Sequence, residues 1–131
     1  EVRDLMLNAV ERGEIEAEVS GAFTPDQFQE LVKQLDVMFA IYPPERGNIL
    51  QGALPVKMFD AAANGVPSVV NSGCLMGEIA EAEGLGKAVA WNDAQAACNA
   101  LLELREKTVE LSITSQREKE KFLSTVLPLL D

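Results

Sequence analysis

GALPVKMFDAAANGVP, residues 52–67, holds the turn, start, body and end of one helix. Gly52 permits a tight turn or a close backbone approach. Pro55 suits the opening of a helix, because the N–H it lacks is one that the first turn leaves unbonded anyway. Gly65, with Pro67 beyond it, ends the helix near Asn64. Short apolar runs flank it on both sides. DVMFAIY, residues 36–42, and PSVVNS, residues 67–72, read as strands buried on both faces, the pattern of a parallel sheet. Strand, helix and second buried strand make a βαβ unit.

Outward from that unit the alternation continues. Residues 1–13 place Val2, Leu5, Met6 and Ala9 at helical spacing and close on Gly13. IEAEVS, residues 15–20, alternates apolar and polar residues as an edge strand does. Thr24-Pro25-Asp26-Gln27 forms a capping box with proline at the first helical position, and Phe28, Leu31, Val32 and Leu35 follow on one helical face. Residues 43–54, rich in proline, glycine and asparagine, read as a long loop, a place where function concentrates. Beyond the unit come a helix over 75–83 closed by Gly84, a strand over 87–91, a helix capped by Asn92 with Gln95, and a last helix opened by Ser115 with Glu118. Met6, Met38, Met58 and Met76 suit gap-filling in a core. The order predicts an α/β chain: a mostly parallel sheet of about four strands flanked by helices. Residues 1–131 read as a single domain without repeat or linker, and the start at Glu1 suggests a segment of a longer protein.

Composition narrows the functions. There are 11 basic and 21 acidic residues among 131, a net charge of −10. Such a balance repels phosphate backbones and anionic lipid surfaces, so neither nucleic acid nor a membrane is an expected partner. No apolar run reaches the ~20 residues that span a bilayer. Histidine is absent, which removes histidine-based triads, acid–base work and metal ligation within the segment. Asp36 has no second acid near it in sequence, and no metal site is expected. Cys74 and Cys98 form no CxxC motif and suit free thiols in a reducing, cytoplasmic setting.

In open parallel sheets ligands bind at the carboxyl ends of the strands. The loop after Tyr42 and the helix opening at Pro55 lie at such an end. A helix start offers free N–H groups and the positive end of the dipole. The segment Gly52, Ala53, Leu54, Val56 and Lys57 therefore forms a phosphate cradle. Lys57 in the first turn opposes the dipole unless an anion is bound there. Asp60 lies on the same face, three residues on, where a carboxylate can accept hydrogen bonds from sugar hydroxyls. The same spacing also suits a surface Lys57–Asp60 ion pair on an ordinary helix. Glu78 could approach a donor and Tyr42 could stack on a ligand ring, but the ordinary reading is a solvated helix carboxylate for the first and a packing role for the second.

The combination resembles the signature of GT-B-type glycosyltransferases, the glycosyl transferases group 1 family. DVMFAIYP matches the family's strand, LPVKMFDAAANGVPSVV its helix and following strand, Ser72-Gly73 its turn, and GEIAEAEGLGKAV a later element. The match covers roughly residues 14–92. The resemblance implies part of a Rossmann-like C-terminal domain that binds a nucleotide sugar, with the rest of the active site on an N-terminal domain of the same protein. It implies Asp60 as the acid that holds the ribose hydroxyls. Lys57 and the amides around Leu54 and Val56 would take the diphosphate and donor-sugar region. The implied reaction is hexosyl transfer from a nucleoside-diphosphate sugar to an acceptor with retention, as in polysaccharide or glycoconjugate synthesis. Lys57 would be the catalytic cation that stabilises the leaving diphosphate, with no metal or other cofactor. Where the family carries two glutamates eight positions apart, this chain has Gly52 and the shorter Asp60. Competing classes are a receiver-like signalling module, which needs an aspartate where Ala40 and Ile41 stand, and a non-catalytic interaction module derived from the same fold.

Overall fold

β1 (Met38–Ala40), β2 (Ser68–Asn71) and β3 (Gly86–Val89) form one parallel sheet in the order β1-β2-β3. The computed structural model describes residues 2–130. Met38 pairs with Ser68 and Val70 with Ala88, so the register runs without interruption. Each parallel step crosses through a helix, as parallel pairing requires. α3 (Gly47–Leu50) and α4 (Val56–Ala63) join β1 to β2, and α5 (Leu75–Ala82) joins β2 to β3. Before the sheet come α1 (Val2–Glu11) and α2 (Pro25–Val32). After it come α6 (Ala94–Leu104) and α7 (Ser115–Val126), which runs into a 3-10 turn.

The strand alternation sorts the helices. Ala40 and Val70 face α4 and α5, where they pack with Met58, Ala62, Met76, Ala80 and Leu85. Val69 and Val89 face the other way, against Ala100 and Leu104 of α6. Met38 joins Val32 and Ala61 under α2. All four strand residues of β2 are buried, two valines between a serine and an asparagine, as in a strand covered on both faces. α5 lies so close to the sheet that a Cβ on Gly77 would overlap the Asn71 carbonyl and press on Ala88. Met38, Met58 and Met76 are core residues, whereas Met6 is exposed.

Local signals hold to within a residue or two. Thr24 accepts from the Gln27 amide at 3.3 Å and its own amide donates to Gln27 Oε1 at 2.8 Å, a complete capping box. Pro55 is the residue before α4 rather than its first, with an extended ψ of 122°. The caps expected at Asn92 and Ser115 are Asp93, which accepts from the Ala96 amide, and Thr114, which accepts from the Arg117 amide. The expected loop over 43–54 contains the short α3.

One expectation fails. Residues 15–20 form no strand, and the sheet has three strands rather than four. Ile15 is 41% exposed, Ala17 is exposed and Val19 is half-buried, so no residue of the alternating face is fully buried. A strand is stabilised by its ladder, and among the described residues no strand lies beside this segment to pair with it.

α1 and α7 bury no residue completely. α7 is fastened by charge: Arg117 forks onto Glu83 at 2.7 and 2.9 Å, and Ser112 donates to the same carboxylate at 2.7 Å. This holds Glu83 at a pKa of about 2, first through Arg117 and then through Ser112. Glu103 is likewise lowered to about 2, by Lys107 and then by Lys87. Cys74 is buried, Cys98 is exposed, and the two are not bonded. Among the described residues no helix is long and apolar enough to cross a membrane.

Candidate functional site

The carboxyl end of the sheet is finished by a side chain. Asn71, the last residue of β2, is 4% exposed, and its amide lies against the backbone of Tyr42, just past β1. Its Nδ2 donates to the Tyr42 carbonyl at 2.8 Å, and its Oδ1 accepts from the Tyr42 amide at 2.8 Å. The side chain thus takes the place of a neighbouring strand's peptide and extends the β1–β2 ladder beyond its last backbone pair. Two satisfied hydrogen bonds in a buried setting are worth about 1 kcal/mol each. They fix where the Tyr42 ring begins.

Two cations converge on that ring. Lys57 Nζ, from the first turn of α4, lies 4.9 Å from the ring centroid. Arg46 Cζ, from the residue before α3, lies 5.7 Å from it. Both distances fall in the range of cation–π attraction, about 0.5–1 kcal/mol at exposed sites. Neither cation reaches a carboxylate among the described residues, as is also true of Lys119 and Lys121 on α7, whereas Arg12, Lys33, Lys87, Arg105, Lys107 and Arg117 all do. The Lys57–Asp60 ion pair allowed by their spacing does not form. The Asp60 carboxylate has no partner among the described residues, while its backbone carbonyl accepts from Asn64 Nδ2 at 2.8 Å.

α4 begins without a side-chain cap and without an acid in its first turn. Its dipole and first amides are therefore open, the electrostatic condition for an anion. Gly52 has φ +90°, a left-handed conformation that closes α3, with its amide bonded to the Ile49 carbonyl at 3.2 Å. Its role in the fold is thus the turn itself, and a Cβ there would meet only the Leu75 side chain, at 3.4 Å. Ala53 is half-buried and packs against the core. Leu54 is at the edge of exposure and Val56 is 73% exposed. Lys57 and Asp60 are half-buried. The predicted residues therefore share one end of the sheet, with Lys57 facing Tyr42. Glu78 is exposed on α5, and Asp36 is exposed before β1.

Two grooves of about 480 Å³ each open elsewhere. One is lined by Phe23, Gln27 and Leu31 together with the acids Glu18, Asp26 and Glu30, which repel an anionic ligand. The other is apolar, between Phe39, Ile41, Trp91 and Leu101, with Asp93 at its rim. Neither suits a phosphate, so the electrostatics favour the open surface around Tyr42. Among the described residues no group of three or more histidine, cysteine, aspartate or glutamate side chains could hold a metal ion.

Sequence reasoning missed Arg46 and Asn71. Arg46 sits in a loop with no periodicity, and Asn71 acts on a residue 29 positions away. The only available signal was a polar residue closing an otherwise apolar strand. Comparison with protein-family models, with curated proteins and with solved structures gives no match.

Proposed function

We propose that this chain is the donor-binding part of a GT-B-type glycosyltransferase, folded as a Rossmann-like half-domain. One observation carries the reading: at the carboxyl end of the sheet, beside an uncapped helix start, the Lys57 ammonium lies over the Tyr42 ring with no carboxylate partner among the described residues of a strongly acidic chain. In this reading the diphosphate of a nucleoside-diphosphate sugar lies over the first turn of α4. The amides around Leu54 and Val56 and the Lys57 ammonium take its charge, and the free Asp60 carboxylate accepts the ribose hydroxyls. When the bond from the anomeric carbon to the diphosphate breaks, the diphosphate leaves with the electron pair. Lys57 and the α4 dipole then stabilise charge that grows towards the transition state. The acceptor and the rest of the active site belong to a second domain of the same protein.

Calorimetric titration with UDP- and GDP-sugars tests this. Binding of one of them is expected, weakened about tenfold by Lys57→Ala, the effect of losing one charge-assisted contact. Asp60→Ala weakens it by a smaller factor. Binding of none, or binding that both variants leave untouched, removes the assignment.

A second reading is a non-catalytic interaction module. It is favoured by Leu50, Val56 and Leu75, apolar side chains exposed around the same end. Formation of a glycosylated product by the whole protein separates the two.

A further inference from the structure

We propose that α7 is a hinged arm: it swings on residues 112–114 and is latched to the end of α5 by the Glu83–Ser112–Arg117 cluster, so that it opens and closes while the sheet stays folded. The inference does not depend on the donor-site reading.

Burial is the first ground. No residue of α7 is buried, and none belongs to the three clusters that make up the core. Phe122 is 62% exposed, and Leu127 and Leu129 beyond the helix are exposed too. Opening therefore costs the core no apolar burial, and elements with little burial are the ones that open without global unfolding.

The bonding pattern is the second. Thr114 caps α7 through the Arg117 amide, Gln116 donates to Glu120, and Ser124 and Thr125 donate to the Lys121 carbonyl. All of these bonds stay within the arm. Among the described residues, the group outside it that an α7 side chain bonds is the Glu83 carboxylate, which accepts from Arg117 at 2.7 and 2.9 Å. Ser112 donates to the same carboxylate at 2.7 Å and accepts from Arg117 at 3.1 Å, which closes the cluster across the pivot. Immediately before the pivot the chain is fixed. The Val109 amide donates to the Gly65 carbonyl at 3.0 Å, and Val109 and Leu111 pack against the core.

Electrostatics supply the third. Glu83 is the C-cap residue of α5, where the carbonyl end of the helix already carries negative charge. Arg117 offsets both. Lys121 is the other cation acting on Glu83, and Glu118, 3.8 Å from Arg117, is the acid that takes the guanidinium when the latch opens. The Arg117 side chain is 42% exposed, so salt screens the latch. A helix of 12 residues without packing is marginal in water, so the open arm frays.

The experiment is native-state amide hydrogen exchange of the chain at pH 7. Amides in the second half of α7 should exchange about a hundredfold faster than those of β2, with almost no dependence on urea, because their opening exposes little surface. Arg117→Gln and Glu83→Gln should each speed α7 exchange about three- to fivefold. About 1 M NaCl should speed it similarly in the natural chain and hardly at all in Arg117→Gln. Glu83→Arg combined with Arg117→Glu should restore the natural rate to within about twofold. Val69→Ala, in the core, should speed exchange in β2 and leave α7 unchanged. A single rate and urea dependence shared by α7 and β2 overturns the arm, as does a Val69→Ala effect as large in α7 as in β2. Latch variants that leave α7 exchange unchanged, or a charge swap that restores nothing, overturn the latch.

Discussion

Ser68 and Asn71 open and close the same buried strand, yet their polar atoms fare differently. Ser68 is fully buried, and its hydroxyl has no hydrogen-bond partner among the described residues. An unmet buried polar group costs about 1–3 kcal/mol. Ser68→Ala should therefore leave stability unchanged or raise it by about 1 kcal/mol, read as a higher urea midpoint at constant slope. A lower midpoint would mean that the hydroxyl is satisfied after all. Asn71 pairs its side-chain oxygen and nitrogen with both backbone groups of Tyr42, which fixes that backbone beside the end of β2. Lys57 and Asp60 were readable in the sequence because helical spacing places them. Arg46 and Asn71 were not, because their roles depend on long-range neighbours that no local pattern records.

Among the elements, the buried strands and the helices between them were legible because their signals are local: apolar runs, caps and glycine stops. Residues 15–20 show the limit of that method. Alternation describes a surface that a strand would present, but a strand forms only where a ladder receives it, and here none does. The close approach of α5 to the sheet was equally invisible, since Gly77 looks like any helical glycine. Gly77→Ala should destabilise the protein by about 1–3 kcal/mol, despite alanine's better helix propensity, because the added methyl meets the Asn71 backbone. Chemical denaturation checks this, and a neutral or stabilising result would show that α5 can back away.

The attachment of α7 has its own pH signature. Glu83 titrates at about 2 against the usual 4.5 because Arg117, and then Ser112, hold its carboxylate. A depressed acid contributes stability that is complete above its ordinary value and lost as the pH falls towards the folded one. Glu83→Gln should therefore lower the thermal midpoint at pH 7, and the gap from the natural chain should close between pH 4.5 and 2. A gap that persists at pH 2 would assign the contribution to packing rather than charge. Glu103, held by Lys107 and Lys87, loses its contribution over the same interval, so the comparison is made within each pH and not across the series.

For the whole molecule, the α/β class followed from alternation of elements, and the sheet is parallel as that alternation requires. The strand count did not follow, because it depends on which strands find neighbours. β1 keeps an open edge, and Phe39 on it is 52% exposed, next to the groove that also holds Trp91. The surface differs in charge from place to place. The carboxyl end of the sheet gathers Arg46 and Lys57, which have no carboxylate partner among the described residues, while the acids Glu18, Asp26 and Glu30 line the groove on α2. We propose that an anionic nucleotide sugar occupies the first of these places. The most direct measurement is an amide NMR titration of the isotope-labelled chain with a UDP-sugar and a GDP-sugar. The account predicts saturable shifts at the amides of residues 52–60 and at Tyr42. No shift with either donor, or shifts confined to the grooves around Phe23 or Phe39, would contradict it.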